Sequence, residues 1–303
     1  MSINTLSFAE KMTAEMDQAI VQKPVTGFLA DNVMRSKFIG AQTVLVPELE
    51  VSGLGDYDRD SGFVKGAVTV GSKPYTLTMD RGRSFQLDSE DNDETGIAGL
   101  AGQVLGEFVR TQVVPEIDAY NLSKLSALAY GKSQTVTGTP ATQAYKMFID
   151  AVGKVQNAVG YDEELVAFVD GKMWAAFQSS AELTRQIAVS DFRRGEVTVS
   201  VRSINSVALL PVPDSRMKTA FTFHDGTTSG EEGGGFAPAS GAKSVGLLVM
   251  PRRGASLVKK TEKIRVFEPE KNPAADAWKF DYRLYYDLLV RASFEESIYT
   301  YVY

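Results

Sequence analysis

The sequence has no cysteine and a single histidine, His224, among its 303 residues. The absence of cysteine excludes disulfide bonds, thiolate metal sites and cysteine nucleophiles. One histidine cannot build a multi-histidine metal site, and no GxSxG motif accompanies it to support a serine hydrolase. We therefore predict that the protein is not an enzyme and that it has no catalytic residue, no cofactor and no bound metal.

The chain also lacks a long apolar run and an excess of positive charge. No stretch of about 18 apolar residues could span a bilayer, and residues 1–20 lack the basic start and apolar core of a signal peptide. We therefore expect a soluble, cytoplasmic product without a membrane partner. The net charge is −6, and the basic pairs are isolated, so specific nucleic-acid binding is not expected.

The strongest periodic signal is a helical stretch at residues 93–130. Its apolar residues recur at intervals of three and four, which is typical of a helix with one buried face. They include Ile97, Leu100, Ala101, Val104, Leu105, Phe108, Val109 and Val113. Pro115 lies within the stretch and has no N–H to donate, so we expect a bend near residues 112–114. The pattern leaves open whether Pro115 bends one helix or separates two.

Two segments before this helix have little core of their own. Residues 1–40 begin with a capped amphipathic helix at residues 7–20 and are then interrupted by proline and glycine, which fits either a mobile arm or a docked helix. Residues 43–51 are strand-like, residues 53–62 form a polar tip, and residues 63–70 and 75–79 form returning strands. A long hairpin of this kind needs a surface to pack on, and a neighbouring subunit could supply it.

The remainder of the sequence predicts a layered α/β body. A polar linker at residues 132–142 precedes a helix at residues 145–159, a buried strand at residues 165–169 and a second helix at residues 172–179. An apolar strand is expected at residues 245–250. Residues 278–286 alternate between apolar and polar side chains, with Tyr285 as the exception, and residues 298–303 alternate again. We expect the C-terminus to be paired in a sheet.

Several clusters resemble known sites but do not fit the corresponding template. Asp56, Asp58 and Asp60 have the spacing of a calcium loop, yet position twelve is Ala67 instead of glutamate. The acidic residues 162–164 and the glycines 233–235 are interpreted as a surface turn and a flexible loop, and His224 beside Asp225 as a turn. A stripe spaced GxxGxxG follows an acidic segment, unlike a dinucleotide loop, and indicates close packing of another backbone. It consists of Gly96, Gly99, Gly102 and Gly106.

Taken in order, these elements resemble the major capsid proteins of tailed bacteriophages, the Hong Kong 97-type or Johnson fold. The resemblance is most specific along the long helix and its entry. It is carried by residues 78–88 (TMDRGRSFQLD), 93–95 (DET), 107–110 (EFVR), 115–120 (PEIDAY), 267–269 (FEP) and 279–283 (KFDYR). The match covers most of the chain.

The resemblance implies an α+β capsid fold with five parts. These are an N-terminal arm (1–40), an extended β-hairpin loop (41–88), a peripheral domain with the spine helix (89–135), an α/β axial domain (136–255) and the returning peripheral strands (256–303). It further implies a major capsid protein that self-assembles into hexamers and pentamers, forming an icosahedral shell around double-stranded DNA. The implied location is the virion capsid, assembled in the host bacterial cytoplasm. The alternatives are an encapsulin-type shell around cargo enzymes and a tail or baseplate protein.

The implied partners are further copies of this chain, a portal protein and packaged DNA that is contacted nonspecifically. Because the arm begins almost at Met1, we expect scaffolding to be a separate protein. Some relatives cross-link through lysine, asparagine and a promoting glutamate. Lys65 and Lys73 lie in the hairpin, but no partner for them can be matched, so no cross-link is predicted.

Overall fold

The structure, a computed structural model, describes residues 24–32, 37–40, 42–60, 62–88, 100–138, 143–179, 188–194, 197–273 and 275–303. The predicted N-terminal helix at residues 7–20 and the start of the long helix at residues 93–99 lie outside this part. No helix among the described residues is long and apolar enough to cross a membrane.

Strands and helices follow one another along the chain, with short 3₁₀ turns at Gly27–Ala30, Asp214–Arg216, Pro269–Lys271 and Ala292–Ser297. The strands are β1 (Lys37–Ile39), β2 (Thr43–Val51), β3 (Val68–Thr76), β4 (Met79–Asp88), β5 (Thr135–Thr137), β6 (Leu165–Val169), β7 (Ala188–Arg194), β8 (Val197–Ile204), β9 (Val207–Pro211), β10 (Phe221–Phe223), β11 (Phe236–Pro238), β12 (Val245–Pro251), β13 (Ala255–Phe267), β14 (Ala277–Val290) and β15 (Tyr299–Val302). The helices are α1 (Leu100–Phe108), α2 (Val114–Gly131), α3 (Ala144–Val159) and α4 (Gly171–Ser179), with a π turn at Val109–Val113 between α1 and α2.

The long helix, which we call the spine, is continuous through Pro115. The backbone stays right-handed helical at Phe108, Val113 and Val114, and Pro115 lies in the first turn of α2. Because proline cannot donate the regular helical hydrogen bond, the preceding turn widens to the five-residue spacing of a π helix. The irregularity predicted at Pro115 is therefore a π turn within one helix, and it does not separate two helices.

The strands β13, β14 and β4 form an antiparallel sheet against the spine. Phe280, Tyr282 and Leu284 are buried and join one core with spine residues, while the side chains between them face outward as predicted. Tyr285, the exception in that pattern, is also buried. It packs with Val44 at the base of the hairpin, so the second face of the sheet is covered from this point on.

The other large sheet has seven strands in the order β5-β15-β12-β6-β9-β8-β7. Phe168 and Leu248 face a core shared with the spine, whereas Val169 and Leu247 face a core shared with α3 and α4. Burial on both faces explains the uninterrupted apolar sequences of β6 and β12. The predicted pairing of the C-terminus is confirmed, because β15 lies between β5 and β12. Residues 256–303 thus supply strands to both sheets, and the domain boundaries given above stay a prediction.

The end of the chain is held where β6 meets α4. Asp170 is 1% exposed, and its carboxylate accepts a hydrogen bond from the backbone N of Met173 at 2.8 Å, as expected of a helix N-cap. The Tyr303 hydroxyl donates to the other carboxylate oxygen. Burial raises the pKa of Asp170 above its usual range. The ionised form of this cap is therefore less stable in the folded chain than in water.

Candidate assembly interface

The hairpin of β2 and β3 has an apolar face that no described part of the chain covers. The strands pair along their whole length, with Leu49 opposite Val70 and Val51 opposite Val68. Residues opposite each other in an antiparallel pair point to the same side, so these four side chains form one patch. The exposed fraction is 65% for Leu49, Val51 and Val68 and 75% for Val70. We call these four residues the hairpin face.

The tip of the hairpin continues this apolar surface. Leu54, Phe63 and Val64 are exposed by 106%, 87% and 69%. The rings of Tyr57 and Phe63 contact each other, with centroids 4.8 Å apart. Exposed apolar patches of this kind mark sites of protein–protein contact, because each Å² of apolar surface removed from water gains about 25 cal/mol. Among the described residues, the hairpin face and tip are therefore the surface best suited to contact with another protein surface.

The acidic residues of the tip organise a turn. Asp58 and Gly62 exchange backbone hydrogen bonds of 3.2 and 2.8 Å, and the Asp58 carboxylate accepts from the backbone N of Asp60 at 2.9 Å. Gly62 has a φ of +81°, which favours glycine at this position. Among the described residues, no group of three or more acidic or histidine side chains could hold a metal ion. The Asp58 carboxylate therefore stabilises the turn at the tip.

Asp287 on β14 fixes the root of the hairpin, where the chain passes from β3 to β4. Its carboxylate accepts hydrogen bonds from the backbone N and the hydroxyl of Thr78, both at 3.1 Å. The Tyr120 hydroxyl donates to it at 2.6 Å, and the Lys124 ammonium forms an ion pair with it. Burial first, and then the hydrogen bond to Asp287, raises the pKa of Tyr120 above its usual range. One buried carboxylate therefore joins the hairpin root, the sheet of β13, β14 and β4, and the spine.

A second set of contacts holds the other side of the hairpin base. The Tyr75 hydroxyl donates to the carbonyl oxygen of Val290 at 3.2 Å, and Lys73 pairs with Glu295 at 3.4 Å. The pKa of Lys73 is raised, first by the ionisable Tyr75 phenol and then by Glu295. Because an amine reacts only when it is unprotonated, this environment disfavours Lys73 as a cross-linking nucleophile. Lys65 lies at the exposed tip.

The segment that precedes β1 is anchored to the spine by Asp118. This carboxylate is 0% exposed. One oxygen accepts from the backbone N and the hydroxyl of Thr26, at 2.9 and 2.7 Å. The other accepts from the backbone N of Val25 at 3.0 Å and from Arg216 Nη1 at 3.0 Å. Val25 and Thr26, which lie within the predicted N-terminal arm (1–40), are therefore held against the spine by three hydrogen bonds to a carboxylate that also pairs with Arg216.

The remaining sequence candidates are not brought together. Asp225 accepts from the backbone N of Thr227 and Thr228, at 2.7 and 2.8 Å, so its carboxylate organises its own turn as predicted. Glu164 pairs with Arg252 at 2.8 Å on the surface. A Cβ placed on Gly106 would meet no atom within 4 Å, so the described residues do not supply the close packing expected at that point of the glycine stripe. Gly96 and Gly99 lie outside the described residues.

The residues that position the hairpin and the arm were missed by sequence reasoning. Asp118 and Asn121 are both buried, and they interrupt the apolar face of the spine formed by Ile117, Leu122 and Leu125. Polar residues on the buried face of a helix are a recognisable signal, because they must find partners. Their partners, such as Thr26, are distant in sequence and leave no pattern of their own.

The described fold was compared with known proteins. It matches a structure from Gordonia phage Cozz with a TM-score of 0.59 and 12% identity, covering 91% of this chain and 86% of that chain. The capsid structure of cyanophage P-SCSP1u matches with a TM-score of 0.57 and 10% identity, covering 88% and 84%. A virus-like particle from Pyrococcus furiosus matches with a TM-score of 0.51 and 8% identity, covering 96% and 98%. No protein-family model and no curated protein matches the sequence.

The matched structures cover 88 to 96% of this chain. At identities of 8 to 12%, this likeness concerns the fold. The α+β class and the fold expected from the sequence are confirmed. The chain therefore has the fold of tailed-phage capsid proteins, the Johnson fold.

Proposed function

We propose that the protein is the major capsid protein of a tailed phage. In this proposal its copies form hexamers and pentamers, and these close into an icosahedral shell around double-stranded DNA. The protein then resides in the virion capsid after assembly in the host bacterial cytoplasm. The observation that carries the proposal is the uncovered hairpin face, which is rigidly held at its root on a chain that has a capsid fold.

The hairpin cannot bury its own apolar face. Two strands of about 30 Å form a ribbon too thin to have an interior. Within the described residues, its apolar packing on the body is at the base, in a cluster of Val44, Leu77, Tyr285 and Leu289. A second copy of the chain provides a partner at equal concentration. When the same contact repeats by symmetry, a modest gain at each hairpin accumulates into a stable shell.

The test replaces the hairpin face without changing the strand pairing. The double variant Leu49→Ser and Val70→Ser should abolish shells seen by negative-stain electron microscopy, because both side chains lie on the apolar face. The matched control is Glu50→Ser and Thr69→Ser, the next opposed pair, whose side chains point to the other side. The control should still form shells. Normal shells from the first variant, at equal unfolding midpoints, would refute this role of the hairpin.

An encapsulin-type shell around cargo enzymes is the second candidate, and the match to the virus-like particle favours considering it. The contents of purified particles distinguish the two. A phage capsid contains double-stranded DNA, whereas a cargo shell contains a co-purifying protein. With a net charge of −6, contact with DNA should be weak and nonspecific, so tight salt-sensitive DNA binding by the free subunit would contradict the proposal.

The proposal includes a separate scaffolding protein and a portal protein as partners, and no covalent cross-link. Mature particles should therefore dissociate to single chains in SDS, and a ladder of SDS-resistant oligomers would show the last point to be wrong. Deleting residues 2–22 should block or distort assembly, because we assign that segment to an arm reaching a neighbouring subunit. Normal particles from the deletion would count against the arm.

A further inference from the structure

Arg81 joins three elements that are far apart in the sequence. It lies on β4, where the chain leaves the hairpin. Its Nε and Nη2 donate to the two carboxylate oxygens of Glu116 on α2, at 2.8 and 3.1 Å. Its Nη1 donates to the carbonyl oxygen of His224 at 2.7 Å, and its Nη2 to that of Gly235 at 3.2 Å. One guanidinium thus bonds to the spine and to the connection between β10 and β11.

This connection, residues 224–235, is a loop closed at its neck, and we call it the strap. The backbone N of His224 donates to the carbonyl oxygen of Gly235 at 3.0 Å, directly beyond the paired residues Phe223 and Phe236. Arg81 therefore contacts both sides of the neck. Further along the strap, Arg83 Nη2 donates to the carbonyl oxygen of Glu232 at 3.0 Å.

Hydrogen bonds hold the strap, and apolar packing contributes little. No residue of the strap is buried. A cavity of about 470 Å³ lies between the strap, β4, the spine and β14. A Cβ on Gly226 would lie 3.0 Å from Arg83 Nη1, and its φ is +77°, so glycine is required for this approach. Because few apolar contacts resist opening, the bonds from Arg81 and Arg83 hold the strap against β4, in addition to the hydrogen bonds within the strap itself.

Glu116, the partner of Arg81, lies beside the π turn of the spine. It directly follows Pro115, and its side chain is only 13% exposed, against 24% for Arg81. A carboxylate that pairs with both arms of a guanidinium fixes the position and the plane of that group. A shift of the spine at the π turn would therefore move Glu116 and with it the donors that hold the strap.

We propose that Arg81 couples the strap to the spine. The strap is closed while Arg81 and Glu116 are paired, and it opens when the spine moves at the π turn. The coupling is reciprocal by linkage, so opening of the strap also loosens the spine around Glu116. This device is independent of shell assembly, because every group in it belongs to one subunit.

The decisive variant is Glu116→Gln, studied by hydrogen–deuterium exchange on the full chain. Glu116 makes no hydrogen bond to the strap among the described residues. If the coupling exists, neutralising Glu116 should nevertheless release the strap. Exchange at the amides of His224 and Gly234, which are bonded within the strap and its neck, should accelerate about tenfold, as expected for weakening a charge-assisted hydrogen bond. Arg81→Lys keeps the positive charge but loses the paired hydrogen bonds of the guanidinium. It should accelerate exchange at the same two amides by a similar factor, and should also accelerate exchange in the spine near residue 116.

The matched control is Arg283→Lys. Arg283 donates to both carboxylate oxygens of Asp80, at 2.9 and 2.6 Å, on the same sheet, in a more exposed pair that makes no hydrogen bond to the strap among the described residues. The Arg283→Lys variant should leave hydrogen exchange in the strap unchanged. Wild-type strap exchange in Glu116→Gln would overturn the proposal, as would equal acceleration by the control. If Arg81→Lys does not fold, Glu116→Gln decides the question alone.

Discussion

Replacing Asp118 by asparagine should release the segment at Val25 and Thr26 from the spine. The amide keeps one acceptor oxygen, which can still serve the two donors of Thr26. Its NH₂ group then faces Val25 N and Arg216 Nη1, which are both donors. The Arg216 side chain is only 20% exposed, so its charge loses its partner in a largely desolvated place. Stranding a buried charge and a buried N–H costs about 3–5 kcal/mol of unfolding free energy.

Urea unfolding of the full chain, followed by near-ultraviolet circular dichroism, measures this loss. Limited proteolysis within residues 24–32 should accelerate in parallel. Adding Arg216→Met should restore part of the stability, because it removes the stranded charge, so the two substitutions should be strongly non-additive. Glu107→Gln serves as the control on the same helix, since its pair with Arg110 is half exposed, and should cause no measurable change. Wild-type stability in Asp118→Asn, or simple additivity in the double variant, would refute the anchor.

The remaining predictions concern the other buried carboxylates. Asp287→Asn should lower the unfolding free energy by about 2–3 kcal/mol. This is less than the loss of a fully buried ion pair would cause, because Lys124 is 38% exposed and water can solvate its ammonium group. The variant should also be cleaved faster at the hairpin root, and an unchanged cleavage rate would contradict this. Asp170→Asn keeps the helix cap but removes the ionisable group. Because the folded pKa of Asp170 is raised, the wild type loses stability as pH rises from about 4 through that pKa, so the variant should gain relative stability over the same window. Urea midpoints between about pH 4 and pH 7 would measure this, and a constant difference would exclude the mechanism.

Much of the fold could be predicted because local sequence patterns determine many of its helices and strands. The buried strand at residues 165–169 and the helix at residues 145–159 match β6 and α3 closely, since the first is an uninterrupted apolar run and the second has one dominant helical periodicity. The return of the hairpin was wrong in detail: residues 63–70 and 75–79 appeared as two strands, whereas β3 is continuous over Val68–Thr76. Pro74 lies within β3, which is an edge strand of its sheet, where a missing N–H is tolerated.

The site depends on contacts that no local pattern contains. The residues that hold the hairpin, the strap and residues 25–26 bond to partners far away in the sequence. Asp118 bonds to Thr26, Asp287 to Thr78, and Arg81 to His224. Their partners become visible only when the sheets are assembled. The hairpin face was accessible to sequence reasoning, because alternation on β2 and β3 separates Leu49 and Val51 from Glu48 and Glu50.

The π turn has a consequence for the length of the chain. It accommodates one more residue than a regular turn between Leu105 on its N-terminal side and Glu116 on its C-terminal side. Because the wider turn takes up the extra residue, deleting one residue within Val109–Val113 would restore a uniform α-helix and leave Leu105 and Glu116 on the same sides of it. Adding or deleting a residue in the regular part of the spine would instead rotate one half relative to the other by about 100°. Either Leu105 would then leave the core or Glu116 would leave Arg81, so the residue count of the regular part is as constrained as the identity of its side chains.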